Sequence, residues 1–199
     1  NKMRNLFISE LVKQARKNKK IVLLVGDLGY NVVEPFKKEF PKRFFNVGVS
    51  EQSMIGIASG LAISGYHVFV YSIANFPTFR CAEQIRNDVD YHNLSVTIVS
   101  VGSGLGYGNL GYSHHGIQDY SLMRSLPNTI ICSPSDNYEL TSSLNFIFKN
   151  PKPSYLRLDK SLDINTKKFN HSLFPGKWIL KEKGKDPNKL LLSTGSVYK

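Results

Sequence analysis

The run Ile21-Val22-Leu23-Leu24-Val25 decides the fold class. An uninterrupted apolar stretch of this kind is typical of a strand buried on both faces, as the strands of a parallel sheet are. A helical pattern of apolar residues, from Leu6 to Ala15, precedes it. Further runs predict strands at 44–47, 67–73, 95–101, 129–132 and 154–158. Between them, helices are predicted at 51–64, 79–90, 117–125 and 136–149. This alternation predicts an α/β fold, a parallel sheet with helices on both faces.

The pattern changes after residue 160, which predicts a first domain over residues 1–160. Lysine, proline and asparagine dominate residues 161–188, which are interpreted as a linker that packs through Phe169, Phe174 and Trp178. Residues 189–199 open with a new apolar strand and are interpreted as the start of an incomplete C-terminal domain. We therefore expect this chain to be the front part of a longer protein.

The composition excludes several classes of protein. The chain has 199 residues, of which 41% are hydrophobic and 21% charged, the balance of a globular protein. No apolar run approaches the roughly 20 residues that a membrane-spanning helix needs, so no membrane association is expected. The N-terminus lacks a signal-peptide pattern, and a cytoplasmic location is expected. Cys81 and Cys132 match no metal-ligand spacing, which argues against a zinc module or a disulfide scaffold.

The net charge of +11 results from 26 Lys and Arg against 15 Asp and Glu. Such an excess fits a nucleic-acid partner, an anionic substrate or a lysine-rich surface. Much of it lies in the first helix, around Lys37-Lys38 and Lys42-Arg43, and from Lys160 onward. The sequence has neither a recognised nucleic-acid-binding module nor a strip of basic and aromatic residues. We therefore expect solvated surface lysines and no nucleic-acid partner.

A glycine-rich loop follows the predicted strand 95–101 and contains the spacing of a GxGxxG motif at Gly106, Gly108 and Gly111. With Asp136 further along the chain, this spacing imitates a dinucleotide-binding fingerprint. That interpretation requires a helix to begin at the glycines, whereas residues 112–116 delay the next predicted helix to about residue 117. The loop is therefore interpreted as the wall of an active site.

The pair His114-His115 closes this loop. Loops at the carboxyl ends of parallel strands bind ligands in such folds, so at least one of the two histidines is expected to be functional. A single histidine is more often surface or core filler, which is the interpretation for His92 and His171. Metal binding is disfavoured, because no Cys or Asp lies at a ligand spacing.

Residues 45–54 join the end of a strand to a strongly apolar helix. Ser50 is the expected N-cap of that helix, and Glu51 lies in its first turn. Periodicity alone allows a structural explanation, in which the positive end of the helix dipole favours a glutamate at this position.

The segment Phe45-Asn46-Val47-Gly48-Val49-Ser50-Glu51-Gln52 resembles the catalytic-glutamate segment of transketolase-like, thiamine-diphosphate-dependent enzymes, in their pyrimidine-binding domain. Other segments resemble the same domain in the same order and together cover nearly the whole chain. They are Gly26-Asp27-Leu28, Tyr71-Ser72 through Phe76, Glu83-Gln84-Ile85-Arg86-Asn87, Gly111–Gly116, Leu122–Asn128, Pro153–Arg157 and Leu190–Ser196. The common order makes the resemblance specific.

The resemblance implies the cofactor contacts. Glu51 is expected to contact N1′ of the aminopyrimidine ring of thiamine diphosphate and, by sharing a proton with it, to activate the thiazolium carbon C2. Phe76 is expected to stack on the pyrimidine, with Tyr71 and Phe79 as candidate partners or as core residues. Asp27, at the end of the first strand, is expected to contact the cofactor as well.

The resemblance also implies the substrate contacts. His114 is expected to be catalytic, because it takes the position of a loop histidine that hydrogen-bonds the donor substrate and the intermediate. His115 is expected beside it in the cavity. Arg80, Arg157 and Lys160 are expected to hold a phosphate or carboxylate of a small anionic, sugar-type substrate, the arginines by bidentate contacts.

Two departures from the family pattern matter. Leu110 stands where many ketose-using members carry an acidic residue, so a preference for ordinary ketose phosphates is not implied. The family binds Mg²⁺ and the diphosphate through a Gly-Asp-Gly segment with a later Asn, and Gly26-Asp27-Leu28 lacks the second glycine. We therefore expect a split enzyme, an α2β2 heterotetramer in which the diphosphate and most of the Mg²⁺ contacts belong to a partner subunit.

The resemblance implies the pyrimidine-binding subunit of a split transketolase-like enzyme, which transfers a two-carbon ketol unit between carbohydrate-like substrates. The enzymatic alternative is a pyruvate-using component on the same fold, resembling deoxyxylulose-phosphate synthase or the β-subunit of a 2-oxo acid dehydrogenase. A third interpretation is a non-catalytic assembly or regulatory subunit, although the joint presence of Glu51, Phe76 and His114 argues against it.

Overall fold

The computed structural model describes residues 2–160, 176–180, 182–184 and 188–195. Its strands are β1 (Ile21–Val25), β2 (Phe44–Asn46), β3 (His67–Ile73), β4 (Val96–Val101), β5 (Ile130–Cys132) and β6 (Ser154–Leu158). Its helices are α1 (Lys2–Lys17), α2 (Glu34–Glu39), α3 (Glu51–Ile63), α4 (Ala82–Gln84), α5 (Asp119–Arg124) and α6 (Asn137–Lys149). The strands form one parallel sheet in the order β2-β1-β3-β4-β6-β5, which confirms the predicted α/β fold. None of the helices in these ranges could span a bilayer.

Helices cover both faces of the sheet. Helices α1 and α6 pack on one face, where Phe7, Phe69 and Leu144 belong to one buried cluster. Helix α3 packs on the other face, where Met54 and Val70 belong to a second cluster. Strands β1 and β4 are buried along their whole length, because side chains on both of their faces are covered. This position explains the uninterrupted apolar run of β1.

Three local details differ from the prediction. Helix α2 was not predicted; it has Pro35 in its first turn, where the missing N–H costs no helical hydrogen bond. The predicted helix 79–90 consists of a 3-10 turn, the single turn of α4 and a π-helical stretch, Ile85–Asp90. Ser50 occupies the N-cap of α3, but its side chain makes no capping hydrogen bond within the described part of the chain.

The predictions for the C-terminal segment fall largely outside the described residues. Phe169 and Phe174 lie there, whereas Trp178 is described and is 76% exposed. The described part of the predicted last strand, 189–195, contains no strand, and Leu190–Leu192 are exposed. The division into a first domain, a linker and an incomplete second domain stays a prediction.

A buried histidine lies at the amino-terminal edge of the sheet. Nε2 of His67 lies 3.0 Å from Oγ1 of Thr97, which lies 2.9 Å from Oγ of Ser154, so the three side chains link β3, β4 and β6. The centre of the imidazole ring lies 4.5 Å from that of Phe69 and 6.4 Å from that of Phe148. Burial lowers the pKa of His67 to about 4, which keeps the ring neutral near pH 7.

The neutral state of His67 predicts an acid-sensitive contribution to stability. The unfolded chain takes up the imidazole proton near pH 6.5 and the folded chain near pH 4, so the unfolded state binds more protons between these values. The contribution of neutral His67 to the free energy of unfolding is complete above pH 6.5. It decreases by about 3 kcal/mol in all as the pH falls towards 4. Urea denaturation at a series of pH values measures this change in the free energy of unfolding.

The variant His67→Phe should lose this part of the pH dependence. The variant His92→Gln is the control, because His92 is exposed, and it should retain the wild-type pH dependence. Equal pH dependence in wild type and His67→Phe would contradict the assignment.

Candidate functional site

The carboxyl-terminal ends of four strands meet at one edge of the sheet, because neighbouring strands are parallel. Strand β1 leads into Gly26, β2 into helix α3, β3 into the segment with Phe76, and β4 into the glycine-rich loop. In open parallel sheets this edge is where ligands bind. It brings together Glu51, Phe76, Arg80 and His114, which the sequence analysis singled out.

Glu51 is the first residue of α3, and it is only 4% exposed. Its Oε2 accepts a hydrogen bond of 3.2 Å from Nη1 of Arg80. Its Oε1 is buried and has no hydrogen-bond partner among the described residues. Gly26 faces this carboxyl group, since a Cβ there would lie 3.8 Å from Oε1. A buried polar atom without a partner costs about 1–3 kcal/mol, so a ligand that donates to Oε1 would be stabilised here.

The guanidinium group of Arg80 contacts both Glu51 and Phe76. Its central carbon lies 3.9 Å from the centroid of the Phe76 ring, in a cation–π contact. Nε2 of Gln52 donates to the backbone oxygen of Arg80 at 2.9 Å, which ties this residue to helix α3. The Arg80 side chain is nevertheless 47% exposed. The structure therefore pairs Arg80, predicted as a substrate contact, with the predicted catalytic glutamate.

The His114 ring lies beside Phe76, with 5.1 Å between the ring centroids and 68° between the ring planes. Its Nδ1 lies 3.0 Å from Oγ of Ser113. The Tyr107 ring lies 5.7 Å from the His114 ring, and Nζ of Lys160 lies 4.4 Å from the centroid of Tyr107. The exposed ammonium group of Lys160 thus lies near the predicted substrate histidine.

Hydrogen bonds stabilise the loop that carries the histidines, both within the loop and from the segment that follows β3. Nε2 of His115 lies 2.8 Å from the backbone oxygen of Gly108 in the same loop. Nδ2 of Asn75 donates to the backbone oxygen of Tyr112 at 3.1 Å. These contacts fix the path of the backbone on both sides of His114.

The base of this loop is closed by two glycines. The amide of Gly104 donates to the oxygen of Gly116 at 2.8 Å, and the amide of Gly116 donates to the oxygen of Gly104 at 2.9 Å. A Cβ at Gly116 would lie 2.8 Å from Cβ of Ala74, so a larger residue would push the loop away from the end of β3.

Arg157, predicted as a substrate contact, forms a buried ion pair, and its contact with the substrate stays a prediction. Its Nε donates to Oδ2 of Asp119 at 2.7 Å, and its Nη2 donates to the backbone oxygen of Gly116. Its guanidinium carbon lies 4.4 Å from the centroid of Tyr120, and the Tyr155 hydroxyl also donates to Asp119. Burial lowers the pKa of Arg157, but the hydrogen bond and charge of Asp119 raise it more. Arg157 thus supports the base of the loop that carries the histidines.

The structure does not bring Tyr71 to the Glu51 cluster. Its ring stacks on Phe7, with 6.0 Å between centroids and 16° between planes, and burial raises its pKa to about 12. Tyr71 and Phe69 belong to the core under α1, whereas Val70 belongs to the core under α3. Because side chains alternate along β3, Tyr71 faces away from α3. Tyr71 therefore lies in the core under α1, the second of the two interpretations given for it, and its contact with the cofactor stays a prediction.

Three more predicted positions lie at or near this edge. Phe79 is 47% exposed on a 3-10 turn, and Leu110 is 52% exposed in the histidine loop. Asp27 has a positive φ of 55° and accepts hydrogen bonds from Nδ2 of Asn46 at 2.9 Å and the Tyr30 hydroxyl at 3.0 Å. The bond from Asn46, and then that from Tyr30, lowers the pKa of Asp27. Cofactor contacts of Phe79 and Asp27 stay predictions.

Sequence reasoning missed four residues that shape the site: Gly26, Gln52, Asn75 and Asp119. Gly26 and Gln52 lie inside the quoted motifs, next to residues that were singled out, and local inspection could have found them. Asn75 also lies inside a quoted motif, next to Phe76, but its partner Tyr112 is far along the chain, as is the partner of Asp119, and no local pattern reveals either pairing. In the described ranges, His, Cys, Asp and Glu side chains form no group of three or more suited to a metal ion.

Comparison with known proteins gives several matches. The chain is 35% identical to a subunit of the apulose-4-phosphate transketolase of Actinobacillus succinogenes, over 78% of this chain and 50% of that protein. It is 35% identical to 1-deoxy-D-xylulose-5-phosphate synthase of Halothermothrix orenii, over 97% of this chain and 30% of that protein. A solved split-gene transketolase, an inactive β4 tetramer, matches with a TM-score of 0.80 and 33% identity, over 92% of this chain and 60% of that chain.

The chain spans about half the length of the related transketolase subunit and 30% of the length of the synthase. The family model of the transketolase pyrimidine-binding domain matches residues 2–163, a range that contains every strand and helix given above and the whole Glu51 cluster. The chain therefore belongs to the family of transketolase pyrimidine-binding domains.

Proposed function

We propose that this chain is the pyrimidine-binding subunit of a split transketolase-like enzyme, which acts with a partner subunit and transfers a two-carbon ketol unit between sugar-type substrates. The observation that carries the proposal is the buried Glu51 carboxyl group, whose Oε1 has no partner among the described residues. It lies at the ligand-binding edge of the sheet, in a cluster with the Phe76 ring. Similarity to a subunit of apulose-4-phosphate transketolase supports the same function.

The residues of this cluster fit thiamine diphosphate. A protonated or proton-sharing nitrogen such as N1′ of the aminopyrimidine would satisfy Oε1 of Glu51. Phe76 offers an aromatic face for stacking, worth about 0.5–1.5 kcal/mol beyond burial. Mg²⁺ and the diphosphate would be held mainly by the partner subunit, because this sequence lacks the family's Gly-Asp-Gly segment.

When bound, thiamine diphosphate supplies a nucleophilic carbon, C2 of its thiazolium ring, for attack on a carbonyl group. The part of this chain is to control protons and to position the substrate. Glu51 holds the proton at N1′, and its burial keeps water from competing for that proton. His114, beside Phe76, donates a hydrogen bond to an oxygen of the donor substrate.

The proposed substrates are small anionic sugars. Lys160 and Arg80 are both exposed enough to meet a phosphate or carboxylate, and apulose 4-phosphate, in the name of the related transketolase, is a phosphorylated sugar. His115 is proposed as a neighbour of the substrate rather than a direct donor, because the loop backbone already engages it. Arg157 is proposed to position the loop, because its guanidinium is paired with Asp119.

Reconstitution tests this function. The chain is co-expressed with the product of the neighbouring open reading frame, the candidate for the diphosphate-binding subunit, and the pair is compared with each chain alone. The pair should bind thiamine diphosphate and consume a ketose-phosphate donor. Neither chain alone should turn over the donor, because each subunit supplies only part of the proposed cofactor site. Calorimetry measures binding, and a coupled assay of the released aldehyde measures turnover.

Two results would contradict the proposal. Full activity of this chain alone would refute the split site and the α2β2 assembly. A purified pair that binds no thiamine diphosphate would refute the function itself.

A pyruvate-using synthase is the second candidate, and the similarity to 1-deoxy-D-xylulose-5-phosphate synthase favours it. An assay of the donor distinguishes the two candidates. A pyruvate-using synthase or dehydrogenase component releases carbon dioxide from pyruvate, whereas a transketolase-like enzyme consumes a ketose phosphate without releasing carbon dioxide. A non-catalytic assembly subunit would leave the activity of the complex unchanged when Glu51 is replaced.

A further inference from the structure

We propose that Arg80 competes with the aminopyrimidine ring of the cofactor for Glu51 and Phe76, and that its guanidinium group leaves both residues when the cofactor binds. The inference rests on the proposed function, because it takes thiamine diphosphate to be the ligand of this cluster. It assigns Arg80 a role that differs from a simple contact to the substrate.

The geometry supports competition, because the guanidinium contacts the same two residues, Glu51 and Phe76, that the ring would contact. Nη1 of Arg80 donates to Oε2 of Glu51 at 3.2 Å, and the central carbon of the group lies over the Phe76 ring at 3.9 Å. A guanidinium is planar, carries its N–H donors in that plane and stacks on aromatic faces. An aminopyrimidine ring is also planar. Its polar nitrogens lie in the ring plane, and both of its faces can stack on an aromatic ring. One face of Phe76 cannot carry both groups at van der Waals distance.

The contacts of Arg80 are of the kind that a ligand can replace. Its side chain is 47% exposed, so water screens the ion pair, and such pairs contribute little. It reaches only Oε2 of Glu51 and leaves Oε1 without a partner among the described residues. A ligand that reaches Oε1 gains a hydrogen bond that Arg80 does not make. Since Gln52 holds the backbone oxygen of Arg80, the exchange requires movement of the side chain alone.

The exchange has a consequence for binding. If Arg80 must leave before the ring can dock, the apparent affinity for the cofactor is reduced by the fraction of molecules in which the guanidinium has left. The released guanidinium then stays at the exposed side of the cluster, free to meet an anionic group. Binding of the cofactor thereby makes available one of the two cations proposed to hold the substrate.

The test is the dissociation constant of thiamine diphosphate, measured by calorimetry with saturating Mg²⁺ on the assembled pair of subunits. Arg80→Met should lower the dissociation constant by about tenfold, the combined size expected for one screened ion pair and one cation–π contact. Arg80→Lys should lower it by a smaller factor, because lysine keeps the charge and can still lie over the Phe76 ring but has no planar group that imitates the aminopyrimidine. Arg124→Met removes the same charge from an exposed position of α5 and should leave the constant unchanged.

The direction in which the dissociation constant changes in the Arg80 variants tests the proposal. A dissociation constant that is unchanged or raised in both Arg80 variants would overturn the proposal, and a raised value would indicate that Arg80 holds the cofactor directly. Arg80→Lys keeps the test valid if Arg80→Met does not fold. Cofactor binding by wild type with no gain in the variants would overturn this inference alone, whereas failure of the wild-type pair to bind would overturn the proposed function with it.

Discussion

Replacing Glu51 by glutamine should slow hydrogen–deuterium exchange at C2 of bound thiamine diphosphate by at least about 100-fold in the assembled enzyme, and turnover with it. The amide has nearly the same shape as the carboxyl group, but it cannot take or return a proton at N1′. Because Glu51 is buried, water has little access to substitute for it. Quenched-flow exchange, read by proton NMR of the released cofactor, measures the rate.

The control for this experiment is Glu34→Gln, which makes the same chemical change at an exposed position of α2. This variant should exchange at the wild-type rate. The dissociation constant of the cofactor is measured for each variant, so that exchange rates are compared at saturation. Wild-type exchange in Glu51→Gln would exclude Glu51 as the proton-handling group and would favour a non-catalytic subunit.

Replacing Arg157 by methionine should lower the free energy of unfolding by about 3–5 kcal/mol, the cost of breaking a buried ion pair by removal of one partner. The side chains of Arg157 and Asp119 are 8% and 0% exposed, so the variant leaves a buried carboxylate without its cation. The hydrogen bond to the backbone oxygen of Gly116 is lost at the same time. Urea denaturation measures the change.

Two companion variants separate the ion pair from general packing. The double variant Asp119→Leu, Arg157→Met should recover much of the loss, because apolar replacement of both partners is often nearly neutral. Arg16→Met breaks the exposed pair of Arg16 with Glu39 and should have a far smaller effect, because solvent screens that pair. If Arg157→Met is as mild as Arg16→Met, Arg157 is not a structural anchor and its predicted contact with the substrate regains support.

Most of the sheet could be predicted from the sequence, because each buried strand reads as a local apolar run. Strands β1, β3 and β6 lie at the predicted positions, 21–25, 67–73 and 154–158. Helix α2 was missed because it is short and contains Pro35, a residue that usually signals the end of a helix. The change of helical type within 79–90, a stretch that packs against α3, has no local signal in the sequence.

The site was predictable where its residues lie close together along the chain and not where distant residues meet. Glu51 stands at a strand-to-helix junction that local sequence marks clearly. The partner of Glu51 is Arg80, and the partner of Arg157 is Asp119, and both pairings depend on the order of the strands in the sheet. The motifs left open whether Tyr71 is a cofactor partner or a core residue, and its core position follows from the alternation of side chains along β3.

The ties of the histidine loop also affect how tightly a substrate can bind. A glycine-rich loop that were free would lose conformational entropy on binding, about 1–2 kcal/mol for each residue whose backbone becomes ordered. Here the Gly104–Gly116 pair, the His115–Gly108 contact and the bond from Asn75 hold much of the loop in one path beforehand. His114 is therefore largely ordered when the chain folds. The loop loses less conformational entropy when the substrate binds, so more of the interaction energy contributes to affinity.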